Sequence, residues 1–168
     1  MRNLSEHEGG MSFSDQESLF AAHIPYRVIE DAAEQAYKII ANREGAPLDE
    51  VHSQGNCHKV TSDMRRRLSD IGYDVEREIR HDRALGDHSY LTLDISEDEI
   101  IIDPTWQQFL PSARVSSELP KILIGTRDEV KSQARNFGVR NEVLRLWERR
   151  AFKFTERHEN LLRKKEDI

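Results

Sequence analysis

The sequence contains a single cysteine, Cys57, among 168 residues. One thiol excludes an internal disulfide and any zinc site built on several thiolates, and it is typical of a reducing compartment. Long apolar runs are also missing, since stretches such as Ile100-Ile101-Ile102 are far shorter than the roughly 20 residues of a spanning helix. Residues 1–8 lack the apolar segment of a secretory signal. We therefore expect no membrane association, and either a cytoplasmic location or export without a classical signal peptide.

Positive charge is in deficit, because 25 Lys and Arg residues face 31 Asp and Glu residues and leave a net charge of −6. A bulk attraction for nucleic acid or anionic lipid is thus absent. Residues 139–168 are locally basic, with nine basic and six acidic residues. A solvated, salt-bridged helix face accounts for that surplus, so we do not expect nucleic acid as a partner.

Hydrophobic periodicity predicts helices on both sides of a sheet region. Residues 1–13 are expected to be a flexible leader, and Ser14 with Glu17 has the spacing of a capping box that opens a short helix. A longer helix should begin at Pro25 and end at Gly45. Another should begin at Cys57, with Asn56 as its side-chain cap and a buried face of residues three and four apart that includes Ile71. Gly72 supplies its left-handed stop.

Alternating patterns then predict strands at residues 73–79, 88–95, 100–103 and 121–125, with a turn from Ser96 to Glu99. Thr126 and Glu129 form a second capping box, and residues 141–165 have the periodicity of a long helix. The fold class is therefore α+β, with a mostly antiparallel sheet and helices at both ends. Residues 14–168 are expected to form one domain, with the 141–165 helix packed on it.

Cys57 is the first candidate for chemistry, because a helix N-terminus favours the thiolate, which is the nucleophilic form of cysteine. A nucleophilic thiol also needs a base. Of the seven histidines, His58 points away from its helical neighbour Cys57, whereas His88 opens a strand whose hairpin partner ends at Asp103. A carboxylate there would orient the imidazole.

The predicted turn of residues 96–99 conflicts with a contact between His88 and Asp103, because it pairs Asp103 with Thr92. We therefore expect a bulge or another register in this hairpin. Trp106 follows the carboxylate closely and is expected to cover the His88–Asp103 hydrogen bond. Gln54 precedes Cys57 by three residues, and its amide is a candidate donor to an oxyanion, beside the backbone amide of Cys57.

These motifs resemble those of a known superfamily. The segments Gln54-Gly55-Asn56-Cys57, His88-Ser89-Tyr90-Leu91 and Ile102-Asp103-Pro104-Thr105-Trp106 are similar to those of papain-like and transglutaminase-like cysteine hydrolases. Among these, the bacterial effector and toxin domains that deamidate protein glutamine are the most similar. The resemblance implies a papain-like fold, a Cys57-His88-Asp103 triad and a protein substrate. His58 stands where many members have tryptophan.

Other functions stay open at this point. A cysteine protease or a transglutaminase could use the same scaffold, and a non-catalytic protein-binding module could use the C-terminal helix as its docking surface. No cofactor is expected. No metal is expected either, because the histidines near Cys57 lack the usual ligand spacing.

Overall fold

The structure is a computed structural model that describes residues 24–48, 55–111 and 118–149. Four sequence predictions lie outside these residues: the leader at 1–13, the helix after Ser14, the oxyanion donor Gln54 and the helix beyond residue 149. The described parts contain three α-helices, two 3-10 helices and a four-stranded sheet. They confirm the α+β class.

Helix α1 spans Tyr26–Glu44, and both of its predicted ends are confirmed. Pro25 precedes it with extended backbone, and Gly45 ends it at φ 64°, in the left-handed region that glycine adopts without steric cost. Its buried residues recur at helical intervals, which places one stripe of the helix in the core: Ile29, Ala32, Ala33, Ala36, Tyr37, Ile40 and Ala41.

Helix α2 spans Cys57–Asp70, so Cys57 is its first residue, as predicted. Asn56 occupies the capping position, but the prediction of a side-chain cap is wrong, because that side chain makes no capping hydrogen bond. Gly72 has φ 96° just past the helix, in agreement with a glycine stop. Ile71 does not share the buried face, since it lies beyond the last helical residue and is 61% exposed.

The sheet is antiparallel throughout and its strands follow chain order: β1 (Glu76–Asp82), β2 (Gly86–Ile95), β3 (Asp98–Asp103) and β4 (Leu123–Thr126). Strand β1 begins and ends three residues later than the alternation predicts. Residues 80–82 had the composition of a loop, yet Asp82 ends the strand by accepting hydrogen bonds from the backbone N–H groups of Ala84 and Leu85. This side-chain turn lets β1 pair with β2 down to Gly86.

The hairpin between β2 and β3 differs from the prediction in its turn. Ile95 pairs with Asp98, so only Ser96 and Glu97 form the turn, and Ser96 has φ 56°. The predicted turn of residues 96–99 is therefore wrong by two residues. In the observed register Leu91 lies opposite Ile102, which places Asp103 beside Tyr90.

Both faces of the sheet are covered. Helices α1 and α2 pack on one face, where Leu91, Ile100 and Ile102 belong to the core. The other face is covered by helix α3 (Arg127–Asn136) and the two 3-10 helices, Trp106–Phe109 and Leu144–Trp147. The capping box of Thr126 and Glu129 opens α3, as predicted. No helix in the described ranges has both the length and the apolarity for a bilayer-spanning segment.

The beginning of the predicted C-terminal helix is wrong. Residues 141–149 form a turn and a 3-10 helix, and the backbone is extended at Glu148 (ψ 147°). The carbonyls of this segment are bound by side chains from the sheet and α3 instead of by the next helical turn. Arg80 and Arg127 are the donors. Tertiary hydrogen bonds thus replace the helix that the apolar periodicity predicts.

Candidate active site

Cys57 lies where α2 begins and meets the start of β2. Its side chain is buried, and Sγ is 3.7 Å from the carbonyl oxygen of Asp87. Thr61, one turn further along α2, holds the helix against the strand, since its Oγ1 is 2.8 Å from Oγ of Ser89 and donates to the Cys57 carbonyl at 2.7 Å. The position of the thiol is therefore set by two contacts between α2 and β2, one from Cys57 to Asp87 and one from Thr61 to Ser89.

His88 and Asp103 are in direct contact. Nε2 of His88 lies 2.6 Å from Oδ2 of Asp103, and both residues are fully buried. Their side chains share a face because Asp103 lies beside Tyr90, and His88 is two residues from Tyr90 along β2. Of the two expected alternatives, a bulge or another register, the structure shows another register: the two-residue turn puts the pair in a diagonal position, within reach of long side chains.

Strand β3 does not extend along the first residues of β2, and this leaves the thiol and the imidazole free to approach each other. Pairing between β2 and β3 stops at Leu91 and Ile102, so the first residues of β2 lie beyond that ladder. Sγ of Cys57 lies at this stretch, against the Asp87 carbonyl and the N–H of Ser89. His88 acts on the thiol at this position, and each of the two side chains shifts the pKa of the other. Since Nε2 is bound to Asp103, Nδ1 is the ring nitrogen left for proton exchange, and the amide of Gln108 lies beside it.

The electrostatics of the site favour separated charges. Burial opposes ionisation of Cys57, but the hydrogen bond and charge of His88, helped by the Ser89 N–H, lower the thiol pKa from 9.0. Burial likewise opposes protonation of His88, yet the charge and hydrogen bond of Asp103, followed by those of Cys57, raise its pKa to about 9. The lowered thiol pKa and the raised imidazole pKa both favour a thiolate–imidazolium pair over the neutral pair.

Asp103 is held by donors on both oxygens. The backbone N–H of Thr105 donates to Oδ1 at 3.0 Å, and the indole N–H of Trp147 donates to Oδ2 at 2.8 Å. The prediction for Trp106 is wrong, because its indole donates to the Pro120 carbonyl at 2.9 Å and its ring packs beside Phe137. Trp147 was missed because its sequence pattern placed it on a helical stripe.

Two further neighbours of His88 were also missed. Phe109 packs edge-on against the imidazole at 4.8 Å between ring centroids, and Trp147 does so at 6.1 Å. The amide Nε2 of Gln108 is 2.9 Å from Nδ1. Gln108 and Phe109 are only half-buried, so this side of the ring is the side closest to solvent. Their closeness to Asp103 in the sequence was the available signal, because a short helix after a strand end folds back over that end.

The remaining predicted site residue, Gln54, lies outside the described residues, and its role in an oxyanion hole stays a prediction. Within residues 24–48, 55–111 and 118–149, no group of three or more His, Cys, Asp or Glu side chains is arranged to hold a metal ion. The histidine closest in sequence to the thiol, His58, is half-buried on α2, and its carbonyl accepts a hydrogen bond from Arg77.

Comparisons with known proteins add little to this geometry. No protein-family model matches the chain, and no curated protein matches it. One solved structure that matches is the C-terminal region of Pasteurella multocida toxin, described as having a thiol-protease-like catalytic triad. The identity is 17% and the TM-score is 0.37, and the alignment covers 79% of this chain. The chain spans 20% of the length of that protein.

Proposed function

We propose that the chain is a thiol-dependent hydrolase that converts glutamine to glutamate in a protein substrate. Cys57 is the nucleophile, His88 the general acid and base, and Asp103 the group that orients and charges the imidazole. The observation that carries this proposal is the 2.6 Å contact between the buried side chains of His88 and Asp103, beside a buried Cys57 whose thiol pKa His88 lowers. Nucleophile, base and orienting acid are the three parts that covalent acyl transfer needs.

The first half of the reaction forms a thioester. The Cys57 thiolate attacks the carboxamide carbon, and the carbonyl oxygen takes up the negative charge. The backbone N–H of Cys57, in the first turn of α2, is a donor without a helical partner and can stabilise that oxygen. His88 then gives the Nδ1 proton to the amide nitrogen, the C–N bond breaks and ammonia leaves.

The second half restores the enzyme. Neutral His88 takes a proton from water, the hydroxide adds to the thioester carbon, and the C–S bond breaks to give a glutamate carboxylic acid and the Cys57 thiolate. The imidazole keeps the proton it took from water, so the thiolate–imidazolium pair is regenerated. The net change is one carboxamide and one water to one carboxylic acid and one ammonia.

Burial of the thiol favours a side-chain carboxamide over a peptide bond. Cys57 is 1% exposed and His88 is fully buried, while half-buried Gln108 and Phe109 lie beside the ring. A glutamine side chain carries its carboxamide at the end of two methylene groups and can extend to a recessed sulfur. A protease must instead admit main chain on both sides of the scissile bond. The resemblance to papain-like deamidase effectors of bacteria agrees with this reading.

The proposal is tested by incubating the protein with reduced, carboxymethylated casein as an unfolded glutamine donor. We expect ammonia release and an intact-mass increase of about one dalton per event, without new termini. Both should vanish in Cys57→Ser and His88→Ala and persist in His81→Ala, which removes an exposed histidine of the same sheet. New termini would indicate a protease, and incorporation of an added primary amine a transglutaminase; either result overturns deamidation.

A second measurement is independent of the substrate. Because Cys57 is the one thiol of the chain, iodoacetamide labelling reports on it alone. The labelling rate should remain high at pH values where an ordinary thiol is protonated, and His88→Ala should remove that advantage. Labelling that follows an ordinary thiol in both proteins would favour a non-catalytic module and would refute the enzymatic proposal.

A further inference from the structure

We propose that Trp147 is a positioning residue of this site, which acts on His88 and Cys57 through its hydrogen bond to Asp103. The inference deepens the proposed function and rests on it. Its geometric basis is that one carboxylate oxygen, Oδ2, receives both the imidazole Nε2 at 2.6 Å and the indole Nε1 at 2.8 Å. The indole therefore shares the oxygen that orients the base.

The four side chains of this site are all buried. Asp103, His88 and Trp147 each have 0% exposure, and Cys57 has 1%. A buried carboxylate needs donors that replace its lost hydration, and the described residues supply Asp103 with three: the N–H of Thr105 on Oδ1, and His88 and Trp147 on Oδ2. Trp147 is the one donor whose loss would leave both the imidazole contact and the backbone in place.

The segment that carries Trp147 is clamped by two arginines. Arg80 donates to the carbonyls of Arg145 and Glu148, at 2.9 and 2.5 Å. Arg127 donates to the carbonyls of Trp147 and Glu148, at 3.2 and 3.3 Å. Both arginines also contact the buried carboxylate of Glu78.

A hydroxyl from the sheet completes this clamp. The Tyr90 hydroxyl lies 2.8 Å from Oε1 of Glu78 and 3.1 Å from the Leu146 carbonyl oxygen, and Arg127 donates to it at 3.0 Å. Tyr90 is two residues from His88 on the same strand face, so the strand that carries the base also holds the segment that carries the indole. The ring of Trp147 then packs edge-on against both His88 and Phe109. This arrangement holds the indole N–H in line with Asp103.

The chain offers a matched control for this role. Trp106 is the other tryptophan, equally buried, and its indole also makes one hydrogen bond, at 2.9 Å to the Pro120 carbonyl. Trp106→Phe and Trp147→Phe therefore remove the same group and a comparable hydrogen bond, but only the second removes a donor from Asp103. Phenylalanine keeps an aromatic ring at each position, including the one that packs against His88, so most of the packing is retained in both variants.

The experiment measures the pH dependence of Cys57 ionisation in both variants by the ultraviolet absorbance of the thiolate. Without the indole donor, Asp103 orients and charges His88 less well, and the thiolate loses its cationic partner. In Trp147→Phe we expect the midpoint of thiolate formation at Cys57 to move to higher pH. Below that midpoint the rate of iodoacetamide labelling should fall about tenfold, which corresponds to the loss of one hydrogen bond to a charged group. Trp106→Phe should keep the wild-type midpoint of Cys57 ionisation.

A wild-type measurement covers the case in which Trp147→Phe does not fold. The chain has two indole N–H signals in an NMR spectrum, which Trp106→Phe assigns. The Trp147 signal should shift as the Cys57–His88 pair titrates, and the Trp106 signal should not. Coincident pH profiles for the two variants, or a Trp147 signal that ignores the titration, would overturn the proposal for Trp147. A wild-type thiol with ordinary ionisation would instead overturn the proposed function itself.

Discussion

Replacing Asp103 by asparagine tests the charge balance of the site, because the two side chains have the same shape. Among the described residues, every hydrogen-bond partner of the Asp103 oxygens is a donor: Thr105 N–H at Oδ1, His88 and Trp147 at Oδ2. An asparagine NH2 group would therefore face another donor in either orientation. In addition, the negative charge that supports the imidazolium would be lost.

The size of the effect follows from the pKa of His88. Asp103 and Cys57 together raise that pKa from 6.5 to about 9 against the cost of burial. The difference corresponds to roughly 3 kcal/mol of preference for the imidazolium, or a few hundred-fold in its population. In Asp103→Asn burial dominates, so the pKa of His88 should fall below 6.5. The thiol pKa should rise for the same reason, because its cationic partner is gone.

Two measurements follow the change, with Asp94→Asn as the control, since Asp94 is an exposed carboxylate on β2, the strand that carries His88. In the wild type the imidazole should stay protonated through neutral pH and titrate near 9 by NMR. The asparagine variant should titrate below 6.5, and iodoacetamide labelling of Cys57 at neutral pH should fall by about one to two orders of magnitude. An unchanged His88 midpoint and an unchanged labelling profile would refute the electrostatic reasoning.

Three further predictions concern stability. Arg127→Met leaves the buried Glu78 without its main partner and should lower the free energy of unfolding by about 3–5 kcal/mol in thermal unfolding. Glu78→Gln in the same chain should restore part of that loss, and equal stability of the single and double variants would contradict the explanation. Ser96→Gly should stabilise the hairpin turn by about 0.5 kcal/mol, because Ser96 has φ 56°; a lower urea midpoint would be the opposite result. Gly125→Ala should cost about 1–2 kcal/mol in the same assay, because the new Cβ would lie 2.9 Å from Oε2 of Glu129 at a strained φ of 152°, and an unchanged midpoint would count against it.

The parts of the site that depend on local pattern could be predicted. Helical spacing placed Cys57 at the first position of its helix, where the thiolate is stabilised. Strand alternation placed His88 and Asp103 on one face, because an even number of turn residues keeps two strand positions in phase. These inferences need only the period of each element, and the period can be read from the residues themselves.

The length of the hairpin turn could not be read in the same way. Ser96, Glu97, Asp98 and Glu99 are all polar, so composition does not separate the two turn residues from the two that belong to β3. Because the turn length was wrong by two residues, Asp103 was assigned to the correct face of the sheet but beside Thr92 instead of Tyr90. That displacement is why a bulge or another register was expected, and another register, with a diagonal contact, is what is found.

The identity of the indole beside Asp103 depended on contacts far apart in the sequence. Trp106 is three residues from Asp103 and was the natural candidate, yet Trp147 makes the contact from 44 residues away. Its segment has helical apolar periodicity. Arg80 and Arg127 bind the carbonyls that a helix would use, and no local pattern reveals where those guanidinium groups lie.

The order of the chain also matters for synthesis on the ribosome. The sulfur, ring and acid groups at positions 57, 88 and 103 are translated well before the indole at position 147. Until the peptide has emerged past Glu148 and docked onto Arg80 and Arg127, the Asp103 side chain lacks its last donor. A nascent polypeptide stalled before that point therefore carries all three reactive groups without the final contact that holds them in register.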